Sequence, residues 1–69
     1  MKIIFSFHAK KRMKQRGITE LEIQHVLQFP LYVKNSIEGT KEAVSIINNR
    51  RIKVIFILRA NYIKIITVM

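Results

Sequence analysis

Three side chains near the start of the chain have the types and the spacing to handle a phosphodiester. His8, Arg12 and Arg16 recur at every fourth position. On an α-helix, at about 100° per residue, Arg12 lies about 40° and Arg16 about 80° round from His8, each one turn further along. Ala9 and Met13 then face the core, and Lys10 and Lys14 point to the far side. Cleaving RNA without a metal requires a base for the 2′-OH proton, cations that hold the phosphate as its charge grows, and an acid for the leaving oxygen. An imidazole that titrates near pH 6.5 can serve in either proton transfer. A guanidinium offers a planar fork that matches phosphate oxygens. The same spacing also suits a plainer arrangement, in which His8 makes a packing hydrogen bond at a helix start and Arg12 lies along apolar surface and pairs with a Glu. Spacing alone leaves both readings open.

Further cations could extend such a site. Residues 2–16 hold six basic side chains and no acid, Lys11 among them. Arg50 and Arg51, with Lys53 just beyond, sit in or beside a turn after Asn48-Asn49. They read either as a solvated turn or as a loop that grips phosphate. Arg59 and Lys64 lie near the last hairpin, so the candidate RNA contacts are Lys11, Arg50, Arg51, Arg59 and Lys64. Thr67, alternating with Ile63 and Ile65, reads as an ordinary strand residue. Tyr62 is the better candidate for stacking on a base, whereas Phe7 and Phe29 are expected in the core. His25 is expected on the surface of its helix. There is no P-loop, no G-x-G-x-x-G, no zinc-finger spacing and no nucleophile elbow. The chain contains no Asp, so a Ser-His-Asp set is excluded.

Composition narrows the class. The chain has 69 residues, with 13 Lys+Arg against 4 acids, a net charge of +9. Such an excess speaks to partners rather than to fold: nucleic acid, an acidic protein or an anionic membrane surface. At 49% hydrophobic, the chain is too apolar for a disordered basic tail. A domain this small buries only about 60% of the surface its unfolded chain exposes and usually needs a staple. Without Cys there is no disulfide or thiolate zinc site, and with two His and Glu as the only acid no metal or other cofactor is expected. That leaves a compact apolar core, a partner chain, or both. No apolar run approaches the roughly 20 residues of a spanning helix, and the start lacks the long apolar stretch of a signal peptide. A soluble, cytoplasmic protein folded as one domain over 1–69 is the expectation.

The elements that must position these residues are legible in outline. Residues 2–6 read as a short strand. Ser6 can cap a helix from about Phe7 to Arg16, closed by Gly17. Thr19 and Glu22 form a capping box, with Ile18 and Ile23 placed as a hydrophobic staple, and open a second helix to about Gln28. Pro30 stops it. Beyond it the period changes to two. Strands are expected at Leu31 to Ser36, Ala43 to Ile47, Ile52 to Leu58 and Tyr62 to Val68, with turns at Glu38-Gly39, Asn48-Asn49 and Ala60-Asn61. Short connections favour antiparallel pairing. The third of these strands puts Ile52, Val54, Phe56 and Leu58 on one face and Lys53, Ile55, Ile57 and then Arg59 on the other. One face is expected to pack on the helices and the other to be a binding or dimer surface, which leaves monomer and homodimer open. The fold class expected is α+β, with two N-terminal helices on a twisted antiparallel sheet, in the order β-α-α-β-β-β-β.

The stretch from Phe5 to Thr19, FSFHAKKRMKQRGIT, resembles the opening of the domain-of-unknown-function family 4258, whose signature reads roughly S-x-H-A-x-x-R-M-x-x-R-G-I followed by a helix and a Pro. Glu22-Ile23, the Leu27 to Pro30 segment and the terminal Ile65 to Val68 are similar to its continuation, so the resemblance spans essentially the whole chain. Members of that family are similar in size and layout to small RelE/ParE-like toxins of bacterial toxin–antitoxin pairs. The resemblance implies a metal-independent endoribonuclease that cuts RNA, often ribosome-bound mRNA, by 2′-OH attack, with an acidic antitoxin as protein partner. It points to His8, Arg12 and Arg16 as catalytic, with Arg51 and Arg59 as weaker carry-overs. The plain Glu38-Gly39-Thr40-Lys41 turn departs from the toxins, which leaves open which residue would serve as second proton donor. The rival expectations are a non-catalytic nucleic-acid-binding module, a protein-interaction domain that uses the sheet face, and a gyrase-poisoning toxin of the ParE type.

Overall fold

Side-chain caps and left-handed turn residues set the element boundaries. The computed structural model describes residues 2–69. Ser6 separates β1 (Lys2–Phe5) from α1 (Phe7–Arg16), and its hydroxyl accepts a hydrogen bond from the Ala9 N–H at 2.9 Å. Gly17 closes α1 with φ 65°, a left-handed conformation that glycine adopts without penalty. The capping box is complete: the Thr19 hydroxyl accepts from the Glu22 N–H at 3.2 Å, and the Glu22 carboxylate accepts from the Thr19 N–H at 2.9 Å. It opens α2 (Glu20–Gln28).

Four strands follow: β2 (Tyr32–Asn35), β3 (Lys41–Ile47), β4 (Arg50–Leu58) and β5 (Tyr62–Val68). Glu38 and Gly39 have φ of 60° and 79°, and Asn48 and Asn49 have 53° and 65°. Paired positive φ values are what a tight type I′ hairpin needs, and Asn tolerates them better than most side chains. The strand order is β1-β5-β4-β3-β2.

The α+β class and the order of elements are as the sequence led one to expect. The sheet is mixed rather than wholly antiparallel, because β1 pairs in parallel with β5, Ile3 opposite Ile63 and Phe5 opposite Ile65. The two strands are linked only through the whole body of the chain, so short-connection reasoning does not apply to them.

The helices cover one face of the sheet. α1 lies over β5, and α2 over β3 and β4. Ala9, Met13, Ile18, Ile23 and Val26 meet Ala43, Ile52, Val54, Phe56, Ile65 and Val68 in one buried cluster. Ser6 fixes the start of α1 to β5: its N–H donates to the Ile65 carbonyl at 2.9 Å and its hydroxyl to the Ile66 carbonyl at 2.7 Å. At that point β5 bulges. Ile55 pairs with Thr67 but Phe56 with Ile65, so Ile66 is the extra residue. The bulge shifts Thr67 off the face of Ile63 and Ile65 and opposite Ile55, against the simple alternation of the sequence.

Two further expectations are corrected. Phe7 and Phe29 are not core residues: they are 85% and 64% exposed. Phe7 is the first residue of α1 and lies about 140° round from the middle of its buried face. Phe29 falls just past the end of α2, where it leaves the helical path and sets its ring against His25, centroids 5.4 Å apart.

Candidate nucleic-acid interface

Helix α1 carries His8, Arg12 and Arg16 in one row, and Ser6 anchors its start. Ala9 and Met13 are buried, as the helical angles require, so the row runs alongside the buried stripe. His8 and Arg16 are exposed and Arg12 is half-buried. None of the three makes a side-chain hydrogen bond or an ion pair with another described residue. The plainer reading of the sequence, a packing hydrogen bond for His8 and a Glu partner for Arg12, is therefore not realised. The first turn of α1 contains no acid, and Lys10 and Lys11 add exposed positive charge beside it.

Arg50 is different. Although exposed, it clamps the end of α1, donating from Nη1 to the Arg16 carbonyl at 2.8 Å and from Nη2 to the Gly17 carbonyl at 3.3 Å. Its Nη2 also lies 3.4 Å from Glu22 Oε2. A cation on the last carbonyls of a helix satisfies unpaired acceptors and complements the helix dipole. This guanidinium is thus engaged with the fold, although its side chain remains 44% exposed. The Glu22 carboxyl is held below its usual range, first by the Thr19 N–H that it accepts and then by the Arg50 charge, with its partial desolvation opposing them.

Register divides the remaining candidates. Arg51 stands opposite Ile46 and Lys64 opposite Ile57, on the face of the sheet that no helix covers. Arg51 Nη2 donates to the Tyr32 hydroxyl at 2.8 Å, reaching diagonally across β3. Val44, opposite Tyr32 and Lys53 in the register on this uncovered face, is nonetheless buried. Arg59 sits in the turn after β4, exposed. The α1 row and the sheet cations Arg51 and Lys64 thus occupy opposite sides of the sheet, and no single pocket wall joins them. Among the described residues, no group of three or more His or carboxylate side chains gathers into a metal site. A cavity of about 400 Å³ lies between α2 and the β1–β5 pair, lined by Ile3, Gln24, Leu27, Gln28 and Ile63, and by none of the candidates.

Sequence reasoning missed what surrounds Glu42. This residue is 7% exposed, on the uncovered face, with Lys34 Nζ 3.3 Å from its Oε2 and Lys53 Nζ 3.8 Å from its Oε1. The signal was a lone acid beside the apolar run of β3, but its face depends on register that the sequence does not state.

A family profile described as "Domain of unknown function (DUF4258)" matches residues 5–69. The chain belongs to that family. The DUF4258 span takes in all of α1, the bulge and both faces of the sheet from β2 to β5. No curated protein and no solved structure matches the chain. No helix among the described residues is long and apolar enough to cross a membrane.

Proposed function

We propose that the protein is a metal-independent endoribonuclease of the toxin type. The observation that carries this reading is the α1 row: one imidazole and two guanidinium groups on one stripe, anchored at the helix start and engaged by no partner among the described residues. The imidazole of His8 takes the 2′-OH proton. The 2′-oxygen attacks phosphorus, the bond to the 5′-oxygen breaks, and that oxygen leaves with a proton from water. The products are a 2′,3′-cyclic phosphate and a 5′-hydroxyl. Arg12 and Arg16 hold the phosphate as its charge rises. Lys11 extends the positive surface beside the row, and Arg51, Arg59 and Lys64 bind RNA elsewhere on the molecule. A +9 chain calls for a neutralising partner, and an acidic antitoxin protein in the cytoplasm supplies one.

Inducible expression beside a His8→Ala control, followed by mapping of RNA 5′ ends, tests this. The expected result is growth arrest with new ends from the wild-type chain alone. Absence of both, with or without ribosomes, removes the nuclease reading.

A second reading is a non-catalytic nucleic-acid-binding module. The exposure of the α1 row favours it, since no described carboxylate or phenol contacts His8 as a second proton donor. On that reading His8→Ala leaves RNA binding and phenotype unchanged.

A further inference from the structure

The uncovered face of the sheet carries Lys2, Lys34, Arg51, Lys53 and Lys64 against one carboxylate, Glu42. Glu42 is 7% exposed, its side chain 10%, and its Oε2 makes no hydrogen bond with any described residue. Lys34 lies 3.3 Å from Oε2 as an ion pair outside hydrogen-bond geometry, and Lys53 stands 3.8 Å from Oε1. Buried acceptors are normally paired, because leaving one unpaired costs its desolvation. Oε2 therefore keeps hydrogen-bonding capacity that its ion pair does not fill, beneath a Lys34 side chain that is 62% exposed and able to swing aside.

A ligand that fits here has three properties. It brings hydrogen-bond donors to Glu42. It brings an anion for the ammonium groups that then leave the carboxylate. It presents a flat ring to Tyr32, which is 40% exposed and lies next to this cluster in the register. The carboxylates of an acidic peptide would supply the anion but neither N–H donors for Glu42 nor a flat ring for Tyr32, and a second copy of the chain would oppose cations to cations. A nucleotide of single-stranded RNA meets all three conditions. Guanine does so best, because its Watson–Crick edge offers two adjacent N–H donors in one plane to the two carboxylate oxygens.

We propose that Glu42, with Lys34, Lys53 and Tyr32, forms a base-reading subsite on the open sheet face that selects guanine in single-stranded RNA. This rests on the RNA-binding half of the function proposed above and is independent of cleavage. The carboxylate accepts from the base edge, Lys34 and Lys53 grip the flanking phosphates, and Tyr32 stacks.

The test is fluorescence anisotropy on the full chain with two labelled seven-nucleotide RNAs, all-uridine and the same with a central guanosine. Both are 2′-O-methylated, so that neither can be cut. The guanosine oligomer is expected to bind at least about fivefold more tightly, the lower end for a good bidentate base contact. Glu42→Gln should abolish that ratio while binding the uridine oligomer as well or better, since it removes the one anion from a cationic face. Equal wild-type affinities overturn the proposal without reference to any variant. So does a Glu42→Gln protein, folded by circular dichroism, that keeps the preference. If neither RNA binds, the RNA reading falls with it. A preference without new RNA ends in cells leaves this subsite standing and removes only the nuclease.

Discussion

Arg50 and Arg51 are neighbours in sequence with opposite fates, and strand alternation decides which is which. Arg50 turns to the helix side and holds the last carbonyls of α1, whereas Arg51 turns to the open face and meets Tyr32. Arg50→Ala is expected to destabilise the fold by about 1 kcal/mol, the usual net worth of such hydrogen bonds, and to lower Tm by roughly 4–8 °C in a domain this small. Arg51→Ala should leave Tm within about 2 °C, as for an ordinary surface change, and weaken RNA binding instead. Thermal melts beside anisotropy separate the two; a melting loss at Arg51 equal to that at Arg50 would contradict the assignment. Glu22 adds a pH dependence. Its folded pKa is lowered, by the Thr19 N–H and then by Arg50, so its contribution is present above the unfolded value near 4.3 and fades as pH falls through the lower folded one. Glu22→Gln should therefore lose stability at pH 7 and show a flatter profile than wild type below about pH 4.3, measured by urea denaturation across pH 3–7. The side-chain types at these positions were legible in the sequence; the partner of each was not, because both arginines were expected in or beside a turn before a strand starting at Ile52, and a turn has no alternation to assign them to faces.

At the scale of the element, whatever is local was legible. Ser6, Gly17 and the Thr19–Glu22 box stand within a few residues of what they cap, and all three do what their spacing implies. Gly17 has φ 65° and open space where a Cβ would point, so Gly17→Ala meets no clash and only backbone strain. The expected loss is about 1 kcal/mol by chemical denaturation, the left-handed penalty alone; a loss several times larger would mean that the position is packed after all. Nonlocal features escaped. The parallel β1–β5 pair joins the two ends of the chain, so no turn residue announces it. The Ile66 bulge reverses the expected side of Thr67, because one inserted residue inverts the period that the sequence pattern relies on. Both matter to function, since the parallel pair and the bulge fix the start of α1, through Ser6, and with it the position of His8.

For the molecule as a whole, +9 on 69 residues acts on folding and on binding in opposite directions. Thirteen cations against four anions repel one another within a small volume, and only Lys34, Arg50 and Lys53 are in ion pairs among the described residues. Added salt screens that repulsion over a Debye length that falls below about 10 Å above 0.1 M. The folded state should therefore gain stability as sodium chloride rises from 50 to 200 mM, seen as a higher Tm. RNA binding should move the other way. Each phosphate neutralised on a single strand contributes about −0.7 to the slope of log affinity against log salt. Four contacts give a slope near −3 and a loss of about fiftyfold over that range. Both trends can be read on one protein sample, by melting and by anisotropy. Affinity that is flat in salt would deny the cations any part in binding RNA. A Tm that falls as salt rises would mean that the three ion pairs outweigh the repulsion, so that the surplus charge would no longer call for a partner to relieve it.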